Sequence, residues 1–434
     1  MKPSEEPEVG QLLYLRKKLR NRSRFHTLES MHLTIKTWSL LIEVLLFFSP
    51  LTLWGQKTEL YPNVPSEYHE LLNRALARAG DNARELRLAL DSVPAAQAEG
   101  LAFLISYMPE RDLTTLSAAY LLENVEYAYR ARNHFPWGAT IPKMVFFNDV
   151  LPYAILSEKR DHWRKELYEY LAANLKTTRI KTLKYATMYV NIFAEKLFEV
   201  KYNIARERPD QTPLESMRQK MASCTGLAIL LTDAFRAVGI PSRIVGTPNW
   251  YDDRGNHNWN EVWLDGTWSM TAYTPSLAGH AWILSSAGRA NPSDSAHAIY
   301  ASSFRPTGCA FPLAWDSTIT YVHGINVTQH YVDLFQEKLK EWLADSTYLE
   351  LQVSHRDSTL LTPDKRVAVN VDVFRDGHQV EGGRTIAGKR STEDFLTFIL
   401  RKNTTYQFHY FLPDGTEKRY EYTTGNQNAL VELP

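Results

Sequence analysis

One stretch constrains this chain more than any other: residues 221–275, which run from MASCTGLAILLTDAFRAVGIPSRIVGTPNW into YDDRGNHNWNEVWLDGTWSMTAYTP. Cys224 stands directly before an apolar run (Leu227, Leu230, Leu231, Ala234, Phe235, Val238) whose spacing predicts a helix with the thiol at or near its N-terminus. Unpaired N–H groups and the positive end of the helix dipole favour thiolate there, so a lowered thiol pKa is expected. Gly239 ends the helix and Pro241 keeps it from resuming.

Beyond Pro241 the pattern is that of strands. Ser242 to Gly246 form a short one, and Arg254-Gly255-Asn256 a turn. In the next strand His257, Trp259, Glu261 and Trp263 share one face, while Asn258, Asn260 and Val262 share the other. Asp265-Gly266 is a hairpin signal, and Trp268 to Ala272 return. A helix-borne Cys followed by a hairpin carrying a His is the order of a cysteine nucleophile and its base.

A Cys before a helix, GIPSR at the helix end, then HNWNEVWLDGTW: this combination resembles the transglutaminase-like superfamily. That papain-related group includes transglutaminases, peptide N-glycanases and many bacterial exported cysteine peptidases. The likeness covers about residues 213–275, and ASSF and FPLAWD beyond it are similar to uncharacterised bacterial secreted members. It implies an α+β fold with a transglutaminase-like (papain-like) core, to which the patterns on either side add an expected helical N-terminal region and a C-terminal β-sandwich. It also implies Cys224 as nucleophile and His257 as general base, with an acid on the return strand orienting the imidazole. There the sequence departs, because the residue four after Trp268 is Ala272, which has no acceptor side chain. Thr271, Tyr273, Thr274, Asp265, Asp316 or a backbone carbonyl are the alternatives. By the same likeness Gln219, five residues before Cys224, is a candidate oxyanion donor beside the backbone N–H of Cys224.

Each residue also has a plainer reading. A lone Cys at a helix start is commonly a small buried hydrophobe, Gln219 an ordinary surface amide, and His280 a packed residue next to Trp282. Cys309 is the second of two cysteines, and a disulfide between them would remove the nucleophile. A chain this long does not need one for stability.

Lys plus Arg and Asp plus Glu balance at 49 each, which gives no electrostatic reason to expect nucleic-acid binding. No phosphate loop or metal-binding spacing occurs, so no cofactor and no metal are expected. His257 and Glu261 are four apart, but on a strand that interval is about 13 Å, too far for shared ligation. The expected partner is a peptide, protein or glycan substrate.

Four regions are expected: 1–56, an N-terminal extension with a signal peptide or anchor; 57–200, helical; 201–345, the transglutaminase-like core; and 346–434, an immunoglobulin-like β-sandwich. From Met31, Lys36 and the apolar run Trp38 to Trp54 read as a secretory signal cleaved around Gly55 or Gln56, so the protein is expected to be exported, to the periplasm or cell surface. A membrane anchor with a basic cytoplasmic side is the second reading. Helices are expected at 65–80, from 82, and at 95–107, 113–130, 162–174, 183–198 and 331–343. Pro142 to Pro152 reads as a core strand or buried turn, and the charges of Arg164, Lys165 and Glu166 as a solvated face. From Tyr348 the pattern turns to strands, with turns at Asp376-Gly377 and Asp414-Gly415.

Overall fold

The computed structural model describes residues 61–177, 180–273, 281–362, 364–388, 390 and 394–434. Of the two compact units into which the chain divides, Met1–Thr58 lies outside these residues, as do the expected signal segment, Thr274 and His280. The described part belongs to Glu59–Pro434 and mixes helices with several sheets.

Between 69 and 198 the regular elements are helices, of which His69–Arg78, Ala83–Ser92, Ala98–Tyr107, Ala118–His134, Trp163–Thr177 and Leu183–Phe198 are the longer ones among the described residues. Their apolar stripes meet in a core that also takes in Leu227, Leu230, Leu231, Ala234 and Phe235 of the Cys224–Ala237 helix. One core therefore crosses position 200 and joins the helical region to the Cys224 helix by packing. The 142–152 segment corrects the sequence expectation: Lys143–Asp149 is a helix, entered from Pro142, whose fixed φ suits a helix start. Arg164 is a second correction. It is buried, and its guanidinium donates to the carbonyls of Val150 (2.8 Å) and Pro152 (2.7 Å) and to Asn124 Oδ1 (2.6 Å). Its neighbours Lys165 and Glu166 do face water.

The central sheet has the order β5-β4-β3-β6-β7 and is antiparallel throughout: β3 Ser242–Thr247, β4 His257–Leu264, β5 Thr267–Thr271, β6 Tyr300–Ser303, β7 His323–Asn326. A separate two-stranded parallel pair, β1 (Lys201–Tyr202) with β2 (Met221–Ala222), leads into the Cys224 helix. That helix is buried on every side from Thr225 to Ala237, as expected of one held between a helical layer and a sheet. Asp265 and Gly266 take φ of 51° and 88°, the left-handed pair that a two-residue hairpin turn requires.

Residues 348–433 form seven strands in two sheets over one core that includes Leu351, Val371, Val373, Phe398, Phe408 and Val431. β10 (His378–Arg384), β9 (Asn370–Arg375), β12 (Thr405–Phe411) and β13 (Glu417–Thr423) make one sheet; β11 (Leu396–Arg401), β8 (Tyr348–His355) and β14 (Ala429–Leu433) make the other. This order corrects the immunoglobulin expectation, in which second and third strands lie in different sheets. Here the Asp376-Gly377 turn keeps β9 and β10 side by side, as the connection through Asp414-Gly415 does β12 and β13.

Candidate active site

Cys224 is the first residue of its helix, after Ser223 at the cap, and His257 is the first residue of β4. The alternation expected along β4 holds. Asn258 and Asn260 turn to the Cys224 helix, where their Nδ2 atoms donate to Thr225 Oγ1 (2.8 Å), and to the Ala228 carbonyl and Thr232 Oγ1 (both 2.8 Å). Gly246 lies opposite Asn258 in register, and a Cβ there would fall 2.0 Å from Asn258 Oδ1, so the strand needs glycine at that point.

On the other face, Trp259 Nε1 donates to Tyr331 Oη (2.8 Å), which donates to Glu261 Oε1 (2.8 Å), and Arg243 pairs with Glu261 Oε2 at 2.7 Å. These groups are buried, so each needs its partners. The chain of contacts fixes the strand that carries His257. The ring of His257 is itself held among indoles: Trp250 and Trp259 lie nearly parallel to it, with centroids at 5.6 and 6.1 Å, and Trp282 is tilted at 4.9 Å.

Cys224 and His257 line one cleft of about 420 Å³, together with Tyr202, Asn258, Ala272 and Trp282. Both cysteines are free thiols, which removes the disulfide alternative. The expected depression of the Cys224 pKa is corrected. Burial pushes the thiol up and outweighs the opposing pull of the Asn258 and Thr225 N–H groups, the Thr225 hydroxyl and Arg206. A helix N-terminus supplies a partial charge, and here the loss of water costs more than that charge returns.

Most of the remaining candidates fall elsewhere. Gln219 is absent from the cleft lining, and its Oε1 accepts from the N–H of Glu207 (3.3 Å). Asp265 sits in the hairpin turn, and Asp316 caps its own loop through Thr318. Thr271 is buried outside the lining; Tyr273 lines the cleft, but its hydroxyl donates to the Ala194 carbonyl (3.3 Å). Ala272 does line the cleft, and its carbonyl accepts from Asn191 Nδ2 (2.5 Å). Among the described residues no group of three or more His, Cys, Asp or Glu is arranged to hold a metal ion.

Trp250 and Arg254 also line the cleft, as do Asn370, Asp372, Gln379 and Phe411 from the C-terminal strands. Sequence reasoning did not find the C-terminal four, since nothing local marks a residue whose role comes from meeting a segment over a hundred positions away.

Residues 170–271 match the family model described as the transglutaminase-like superfamily. The chain carries a transglutaminase-like domain. The matched span takes in the Cys224 helix and the β3–β5 hairpins, the part built around the cleft. No curated protein matches the sequence. Among solved structures the chain is similar to a protein of Cytophaga hutchinsonii provisionally assigned as a cysteine protease (16% identity over 26% of this chain and 36% of that one, TM-score 0.22). Red sea bream transglutaminase (10%, 67% and 65%, TM-score 0.27) and the Bacillus anthracis TIE protein (10%, 45% and 30%, TM-score 0.16) are similar too. The chain thus spans about a third of the length of the Cytophaga and Bacillus proteins, and at these TM-scores none of the three adds to what the family match establishes.

Proposed function

We propose that this is an exported, thiol-dependent peptidase or amidase in which Cys224 is the nucleophile and His257 the general base. The supporting observation is that a sulfur at the start of a buried helix and an imidazole at the start of β4 border the same cleft. Because burial keeps the thiol protonated, the proton leaves as attack begins rather than beforehand. Cys224 Sγ bonds to the amide carbonyl carbon while His257 takes the thiol proton. The backbone N–H of Cys224, one of those a helix start leaves without an intrahelical partner, holds the oxyanion. His257 then protonates the leaving amine as the C–N bond breaks. Water attacks the resulting thioester, its proton passing to His257 and on to the sulfur as the C–S bond breaks. Hydrolysis is favoured over transfer by the resemblance to bacterial exported peptidases.

Export rests on the Lys36 and Trp38 to Trp54 pattern, with periplasm or cell surface as the destination. Sequencing the N-terminus of the secreted product near Gly55 checks that part. For the chemistry, a peptide-amide library is incubated with the wild type and with Cys224→Ala. The reading requires cleavage by the first that is absent from the second, and equal background in both sinks it.

Ala272 favours a second reading, in which the cleft binds peptide or glycan at the cell surface without turnover. Ligand binding that survives Cys224→Ala, with no cleavage by the wild type, is its signature.

A further inference from the structure

The cleft is closed in part by the C-terminal strands, and the charges around it do not cancel. Arg254 Nε lies 2.9 and 2.8 Å from the two oxygens of Asp252, and its Nη2 donates to Ser286 Oγ (2.8 Å). His409, beside Asp372 across β9 and β12, stands 3.1 Å from Glu417. Glu261 is matched by Arg243. Asp372 has no such match among the described residues. The one hydrogen bond of its carboxylate there comes from Gln379 Nε2 to Oδ1 (2.9 Å), and it makes no ion pair with them. Burial pushes this carboxyl above the usual carboxylate range, with Arg254, His409 and the Gln379 hydrogen bond pulling the other way without offsetting it. An arriving cation offsets that cost.

Two aromatic rings at the cleft reinforce the point. Tyr202 and Phe411 both line it and are both exposed, and the Tyr202 phenol feels the fields of Cys224 and Asp372 alike. An unmatched carboxylate beside exposed aromatic faces is the combination that receives a guanidinium or ammonium group.

We propose that Asp372 determines specificity, pairing with a cationic side chain of a peptide substrate close to the amide presented to Cys224, the cation being held and not itself reacting. The identity of that amide rests on the thiol chemistry proposed above, whereas the pairing does not. The position of Asp372 on β9 makes the C-terminal strands part of the substrate site.

The test uses the full chain carrying Cys224→Ala, so that only binding is read. Acetylated, amidated alanine heptapeptides with a central glutamine carry one arginine, scanned through the other positions, and each has a citrulline twin of the same shape without the charge. Calorimetry is expected to find a position at which arginine binds about tenfold tighter than citrulline, with the preference shrinking in high salt. Adding Asp372→Asn brings that ratio to about one, and Asp372→Glu keeps part of it. Equal binding of the twins at every position, no binding, or a preference that survives Asp372→Asn overturns the proposal. A preference present in a protein that never cleaves peptides leaves the pairing standing and removes the chemistry instead.

Discussion

His257 is held by its neighbours' rings and by the groups that stand behind them. Trp259 flanks the imidazole, Tyr331 accepts from the Trp259 indole, and Glu261 accepts from Tyr331. Tyr331→Phe keeps the ring and removes the hydroxyl, leaving a buried indole N–H without its acceptor and Glu261 Oε1 without its donor. The expected loss is about 2 kcal/mol in denaturant unfolding. If the proposed role of His257 is right, kcat falls more than KM rises, since the substrate does not touch Tyr331. The sequence showed the His-x-Trp-x-Glu face, because period-2 alternation is local. Tyr331, Trp250 and Trp282 carried no comparable signal: an aromatic residue near a histidine in space looks in sequence like any other core residue. Arg164 was misread for a similar reason, since a charge in a helix pattern suggests solvent until its carbonyl partners are known.

The Cys224–Ala237 helix and the β3–β4 hairpin form the element on which the site depends, and Gly246 sets how closely they fit. A methyl at position 246 meets the Asn258 carboxamide, which is bonded to Thr225 next to the nucleophile. Gly246→Ala is therefore expected to cost about 1–3 kcal/mol, as overpacking does, and to shift Asn258 off Thr225. Thermal melts check the first, and the side-chain amide resonances of Asn258 the second. Gly246→Ala with wild-type stability would show that the strand has room to spare. This element was legible because its signals are chemical and short-ranged: Gly239 with positive φ (74°) after the helix, and Asp265-Gly266 in the turn. The helix at Lys143–Asp149 was not, since a seven-residue helix is too short for helical and strand periods to differ.

At the scale of the whole molecule, the C-terminal strands meet the segment between β5 and β6 through a buried acid. Glu381 on β10 is pushed up to about 7 by burial, with Arg289 and Ser285 pulling the other way. Its folded pKa lies above its unfolded value, so the stability it contributes is complete below about 4.5 and is lost as pH rises through about 7. Glutamine mimics the protonated acid. The gain in stability from Glu381→Gln should be larger at pH 8 than at pH 5, by about 2–3 kcal/mol, measured by urea unfolding at both values. A gain independent of pH contradicts the assignment. The two-sheet C-terminal fold was visible in the alternating valines and the turn residues, but not its strand order or its place on the cleft. Both depend on contacts between strands far apart in the chain, as in the pairing of β8 with β14.

The central claim is that Cys224 is a working nucleophile served by His257, and alkylation tests it most directly. Intact protein is treated with iodoacetamide from pH 6 to pH 9.5, and modification is mapped at Cys224 and at exposed Cys309, which serves as the internal reference. With its pKa raised by burial, Cys224 should label slowly near neutrality and faster as pH climbs, and His257→Ala should slow it further without affecting Cys309. A Cys224 that stays unmodified at pH 9.5 while Cys309 reacts, or labels equally with and without His257, contradicts the account.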